Sequence, residues 1–434
     1  MRLINGNYRR LWIGHLVSTV GDQIFDTTVL LWIGFVLLPG DRLAPLAVGG
    51  VLAVRSAATV LVGPFVGVFV DRWDKLRTML RTDLVRAALI GVLTVAAFLP
   101  DGTLPVAAML TLVYVLIFAA TVAAQFFLPA RMTLIRDIVE GDADRARAAG
   151  IGQATVATAG ILGPPLAAPL LFAVGFQWAL LINALSFLGS YAVLRTIRPP
   201  ALADDAALRE RPGFRQEFVR GLAYAWRTRF VRAVLVAAFM VTAGGATLNT
   251  LNPFFFTENL HSPASRYGFV GAAMGAGVIV GALLAGRMTQ LLGGVTVFAG
   301  GIVAAGIALV AYAHSPSLAA ALTVMALFGL FVGALDASLG ALMMRTVDRA
   351  MMGRVIAILS PLQQLSGLVG IGVAGLLAGS LAGLRLEVGP LTFGRLDLLL
   401  TAAGLLVLSG GVYAGLALRG HARHAPATPA AEAA

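Results

Sequence analysis

Five side chains in the first apolar segment are the residues best placed to do chemistry. His15, Ser18, Thr19, Asp22 and Asp26 recur at intervals of one, three and four. At 100° per residue they fall within about 100° of arc on one helical face. Two acids one turn apart in an apolar segment are costly unless they meet water, a partner or a substrate. Two carboxylates this close also resist ionising together, which suits the exchange of a proton. The stripe is therefore a candidate for proton coupling, for cation binding, or for both. A structural alternative stays open, because Arg55 in the second segment lies at similar depth to Asp26. Asp22 is the coupling candidate, and Asp26 the acid expected to be partly paired with Arg55.

Other polar residues sit in later apolar segments. Thr242, Asn249 and Asn252 share one helical face, with Pro253 beyond them. Asp336 is the one acid deep inside an apolar segment of the second half, Asp397 standing at the very start of its own, and Gln363 and Gln364 lie about two turns into the eleventh. Each could bind substrate or only link helices by hydrogen bonds. Asp336 is favoured among them, because a lone charge needs a stronger reason to be there. Asp83 and Arg86, at the mouth of the third segment, read as structural. Several chemistries are not indicated. No His and acid cluster has metal-ligand spacing, so no metal or other cofactor is expected. There is no Gly-rich nucleotide loop, so no nucleotide partner is expected, and no nucleophile with its base can be picked out. Catalysis is not expected. Cysteine is absent, which excludes disulfides and thiolate sites.

The elements that must position these residues follow from composition. The chain has 434 residues, 59 % hydrophobic and 12 % charged, with mean hydropathy +0.87, against about 45–50 % apolar for a soluble domain. Twelve segments approach the length needed to cross a bilayer, at 11–38, 45–70, 83–99, 104–128, 150–174, 178–194, 231–256, 267–292, 295–313, 318–344, 355–381 and 396–418. The pattern is six, a polar interval, and six. The reading is an all-α membrane protein of twelve transmembrane helices. Its parts are a first half at 1–195, a cytoplasmic linker at 196–230, a second half at 231–418 and a disordered tail at 419–434. In the linker, Phe214, Phe218, Leu222 and Trp226 recur every four residues, as in a helix lying in the membrane interface; a plain solvated linker is the alternative.

The formal net charge of +11 raises the possibility of nucleic acid, but the placement of the bases argues against it. With the N-terminus inside, 26 of the 32 basic residues fall on the inner side, four on the outer and two within segments. Basic residues accumulate in cytoplasmic loops, so both termini are expected in the cytoplasm. The bases are thereby explained by topology, and the lipid bilayer is the expected partner.

The densest charge follows the second segment: Gly67, Asp71, Arg72, Asp74, Lys75 and Arg77 within eleven residues. This is a tight, positive turn between two membrane helices. Gly67-x-x-x-Asp71-Arg72-x-x-Lys75-x-Arg77 resembles the signature between helices 2 and 3 of the major facilitator superfamily, with Asp74 at a position more often glycine and Leu76 replacing a usual base. Asn7-Tyr-Arg-Arg-Leu-Trp12, Phe126-Phe127-x-Pro129-Ala130-Arg131 and Gly353-Arg354-Val355 agree with the same family. Together with Asp83-Leu-Val-Arg86-Ala they resemble its branch of macrolide-type and enterobactin-type exporters. The resemblance covers essentially the whole chain. It implies two six-helix halves around a central cavity, alternating access, and a gate in which Asp71 engages the eleventh helix near Arg354. In the fifth segment, Gly150, Gly163 and Pro164 are similar to the family's antiporter motif, with alanine in place of three glycines. Proline and glycine are also common in membrane helices generally.

The resemblance and the acids of the first segment together imply a multi-pass exporter of a bacterial plasma membrane. Its cargo would be an amphipathic small molecule, drug- or siderophore-like, exchanged for protons. Two alternatives remain: uptake or facilitated transport without a proton step, and a non-transporting membrane sensor or partner that retains the fold.

Overall fold

The computed structural model describes residues 4–100, 102–198, 226–347, 349–381, 384–388 and 391–419. The expected interfacial helix at 214–226 lies outside these apart from Trp226, as does the tail beyond Arg419. Among the described residues the chain forms twelve long helices. They are α1 (Gly6–Trp32), α2 (Ala44–Arg72), α3 (Lys75–Ala97), α4 (Val106–Ile138), α5 (Asp142–Ala173) and α6 (Phe176–Leu194), then α7 (Arg229–Glu258), α8 (Gly268–Leu292), α9 (Gly294–Ala313), α10 (Leu318–Thr346), α11 (Arg349–Ser380) and α12 (Arg395–Leu418). A π-helical turn at Ile33–Leu37 ends α1. An antiparallel hairpin joins α11 to α12, with β1 (Arg385–Val388) paired to β2 (Leu391–Gly394). Hydropathy gave no hint of this hairpin.

The helices outrun several of the apolar segments. α3 starts eight residues before the apolar run at 83, and α4 continues ten residues past 128. A 33-residue helix is about 50 Å long, whereas the hydrocarbon layer is about 30 Å thick. Hydropathy therefore marks the part of a helix in the bilayer, and charged turns can continue it into water. Eleven of the twelve helices are long and apolar enough to cross a membrane. α3 falls short because Arg81, Asp83 and Arg86 interrupt its run. It is nevertheless packed between α4 and α6.

The packing pattern repeats with a shift of six helices. In the first half α1 packs on α5 and α6, α3 on α4 and α6, and α2 on α4. In the second, α7 packs on α11 and α12, α9 on α10 and α12, and α8 on α10. The halves meet through α2 with α11 and α5 with α8, two contacts that exchange under the same shift. This is the organisation of a repeat protein with a pseudo-two-fold axis between its halves.

Small residues set the close approaches. On α8, a Cβ at Gly277 or Gly281 would overlap backbone carbonyls of Ala326 and Leu330; on α10, one at Gly329 or Gly333 would overlap those of Met274 and Val278. Two facing Gly-x-x-x-Gly runs thus bring two backbones together. Between the halves, α5 meets α8 where Pro164 faces Gly268 and Gly271. Gly163 is pressed against Gln23 of α1. Gly150 has open space around it. The helix-5 motif is therefore split: Gly163 and Pro164 form an interhelical seam, and Gly150 does not.

Polar ties fix the ends of the first half. Asn5 caps α1, its side chain accepting from Tyr8 N at 2.8 Å and donating to the Ile138 carbonyl at 2.6 Å. Tyr8 donates to the Ala148 carbonyl, and Trp12 Nε1 to Thr155 Oγ1 at 2.8 Å. Asp74 caps α3, accepting from Arg77 N at 2.6 Å. The residue that departs from the usual glycine thus starts a helix. Lys75 Nζ donates to the carbonyls of Val70 and Trp73 at 2.7 and 2.8 Å, closing the turn on itself. Arg72 and Arg77 are exposed. Gly67, Asp71 and Arg354 lie on helices, but their surroundings are outside the described residues, and with them the expected gate contact.

Candidate functional site

A cavity of about 590 Å³ lies between the halves, lined by α1, α2, α3, α4 and α6 from the first and α7 and α11 from the second. α1 contributes Asp22, Phe25 and Asp26; α2 adds Arg55, Ser56 and Thr59; α3 adds Arg86. The second half contributes Thr242, Asn249, Gln363 and Gln364, with Gly245, Ala246, Gly367 and Ile371 between them. All four charged side chains of the lining belong to the first half.

These four charges form two pairs. Asp26 is bonded to Arg55, so the expected pairing across α1 and α2 is present. Asp22 is also paired, which the sequence reading did not anticipate. Arg86 Nη2 lies 2.8 Å from both carboxylate oxygens of Asp22, and its guanidinium sits 3.9 Å above the ring of Phe187. Arg86 was expected to be structural at the mouth of α3, but α3 starts earlier than its apolar run and carries Arg86 up to the cavity. Stacking on an aromatic face holds a planar guanidinium where an ammonium would be less suited. Both pairs retain contact with the cavity, the side chains of Asp22 and Arg86 being 31 % and 13 % accessible.

Other candidates divide. Asn249, Gln363 and Gln364 line the cavity. Asn252 does not: it is buried and accepts a 2.5 Å hydrogen bond from Tyr312 of α9. Three residues on from Asn249 means about 60° of rotation off the cavity face, enough to turn it into the bundle. His15 also lies outside the lining. Its ring stacks on Phe127 at 6.3 Å, and Nδ1 is 3.2 Å from Thr19 Oγ1. Asp336 is exposed on α10 and outside the lining. The helix-1 stripe is therefore two sites, a packed lower part at His15 and Ser18 and a cavity part at Asp22 and Asp26. The sequence reading missed Thr59, Gln125, Asn183 and Phe187. Gln125 Nε2 donates to Thr59 Oγ1 at 3.0 Å, a tie between α4 and α2 that single polar residues in apolar runs do not announce.

Two six-helix halves, exchanged contacts across a pseudo-two-fold and a charged cavity between them define a membrane transporter fold. The sequence profile of the Major Facilitator Superfamily matches residues 11–371 and 234–433, and the chain belongs to that family. It is a multi-pass protein of the cell membrane. The chain is 24 % identical over 374 residues to macrolide efflux protein A of Streptococcus pyogenes, covering 85 % of this chain and 88 % of that protein. It is 24 % identical over 398 residues to the uncharacterized MFS-type transporter YkuC of Bacillus subtilis (strain 168), covering 86 % of each. A bacterial homologue of the iron transporter ferroportin, solved in an inward-facing state, superposes with a TM-score of 0.73 at 13 % identity, over 95 % of this chain and 98 % of that one.

Proposed function

We propose that this protein is a secondary active exporter of an amphipathic, drug- or siderophore-like small molecule, working by alternating access in exchange for protons. The observation that carries the proposal is the pair of arginine-bound acids, Asp22 with Arg86 and Asp26 with Arg55, on the wall of a cavity shared by both halves. An acid held by an arginine at a water-accessible wall can trade that partner for a proton or for a cationic substrate. Apolar groups between the polar ones suit an amphipathic cargo. Similarity to macrolide efflux protein A along most of the chain supports export as the direction. The distribution of bases supports cytoplasmic termini. On that topology, the seam of Pro164 with Gly268 and of Gly49 with Ile371 lies toward the outside.

A labelled macrolide is the first probe, in proteoliposomes with and without an imposed pH gradient. The wild type should drive its movement with the gradient, and Asp22→Asn should lose the gradient dependence. Transport by Asp22→Asn that responds to the gradient as the wild type does would refute the coupling assignment. A second reading, facilitated transport without protons, is favoured by the pairing of both acids. It requires flux that is indifferent to the gradient in the wild type as well.

A further inference from the structure

One acid has no part in the cavity and no ordinary reason to be where it is. Asp83 on α3 is fully buried, at 0 % accessible surface. Neither of its carboxylate oxygens has a hydrogen-bond partner. The Ser190 hydroxyl faces it from α6 but is itself without a bond of ordinary geometry. A buried carboxylate stripped of partners is among the costliest groups a protein can hold; a neutral carboxylic acid is far cheaper. The charged groups facing Asp83 are Arg86 from its own helix and Asp22 from α1, and α6 presents only Ser190.

The unmet atoms are complementary. Arg86 spends Nη2 on Asp22, while its Nε is buried with no acceptor. Asp83 is three residues earlier on the same helix, where side chains of one face are neighbours. One orphaned donor and two orphaned acceptors thus lie within one turn of each other. Arg86 is flanked by two acids and bound to one.

We propose that Asp83 is a proton-carrying residue of this transporter, and that Arg86 switches between Asp22 and Asp83. In the arrangement seen, Arg86 binds ionised Asp22 and Asp83 holds a proton. In the other, Asp22 takes a proton from cavity water, Arg86 turns to Asp83, and Asp83 releases its proton to water. One bond to hydrogen forms at an Asp22 oxygen as one breaks at an Asp83 oxygen. The three side chains carry one proton and zero net charge in both arrangements, so neither leaves an uncompensated charge in the bundle. The switch moves the proton between a sealed position and a cavity-facing one. It extends the proposal of proton-coupled export, and its test reads the carboxyl rather than flux, so the two can fail separately.

Infrared spectra of the purified protein at neutral pH, recorded in H₂O and D₂O, report protonated carboxyl groups directly. The wild-type spectrum should contain a carboxylic C=O band that is lost in Asp83→Asn. Asp22→Asn mimics protonated Asp22, so it should free Arg86, ionise Asp83 and remove the same band. Arg86→Gln placed in the Asp22→Asn background should restore it. A wild-type spectrum that matches Asp83→Asn in this region would overturn the protonated state. Full retention of the band in Asp22→Asn would overturn the switch, and that arm needs no change at Asp83 itself.

Discussion

The two halves share one packing pattern but differ in what chiefly holds it together. In the first half, α2 and α4 are tied by side chains: Tyr114 donates to the Ala47 carbonyl at 2.9 Å, and Gln125 to Thr59. In the second, the equivalent pair α8 and α10 approaches mainly through glycines that meet backbone carbonyls, with one side-chain tie, Thr289 Oγ1 to Ser338 Oγ at 3.3 Å. The cavity walls differ in the same sense. The first half presents two ion pairs, the second only amides and a hydroxyl. Repetition thus preserves backbone geometry and leaves chemistry free to diverge. On the proposed function, the first half carries the proton step and the second meets the cargo.

Arg86→Gln should break that division most severely. It strands Asp22 without its partner and removes the partner proposed for Asp83. Removing one member of a buried ion pair costs about 3–5 kcal/mol, and about 3 is expected here because the pair keeps contact with the cavity. The thermal unfolding midpoint of purified protein should fall accordingly. Asp22→Asn added to Arg86→Gln should recover most of that loss without restoring gradient dependence. Equal midpoints for the single and double variants would mean that the stranded Asp22 carboxylate is not the source of the loss.

The second half should be most vulnerable at its glycines. Gly281→Leu forces α8 away from the Leu330 carbonyl, and overpacking of this kind costs about 1–3 kcal/mol, with the upper end expected where the obstacle is backbone. Tyr114→Phe, at the equivalent interface of the first half, should cost only about 1 kcal/mol, the worth of one hydrogen bond. Comparable losses for the two, by thermal unfolding, would remove the contrast between the halves.

Asn249 and Asn252 sharpen the contrast within a single helix. Asn249→Ala should raise the KM for the transported probe about tenfold, equivalent to about 1.4 kcal/mol, with unchanged response to the pH gradient. Asn252→Ala should leave KM alone and lower stability by about 1–2 kcal/mol, since the buried Tyr312 hydroxyl loses its acceptor. The reverse assignment would show that Asn252 rather than Asn249 faces the cargo.

Much of this arrangement could be read from residue type and spacing. Apolar runs located twelve helices, and Asp26 was matched to Arg55 because both lie at similar depth. What escaped was rotation and helix extension. Asn252 shares a broad face with Asn249, yet 60° of turn decides between cavity and core. Arg86 looked peripheral because the apolar run of α3 begins at Asp83, whereas the helix begins at Lys75. Its partner Asp22 is 64 residues away, and no local pattern encodes that pairing. The β1–β2 hairpin was missed for a related reason: four-residue strands between two membrane helices leave no hydropathy signal.

The smallest effect is expected at the charged turn, and it separates folding from gating there. Asp74 accepts from Arg77 N and so satisfies one of the donors left open at the start of α3. Asp74→Ala removes that cap at a cost of about 1 kcal/mol, while Asp74→Asn can still accept the bond and should cost less. Asp74→Gly restores the residue more common at this position in the resembled signature and should lose only a little more, since glycine is tolerated at a cap. All three should transport the macrolide probe at close to the wild-type rate, because Asp74 is exposed and outside the cavity lining. A large transport defect in Asp74→Asn, with stability intact, would assign the carboxylate to gating and make the turn in the first half a functional counterpart of the cavity charges.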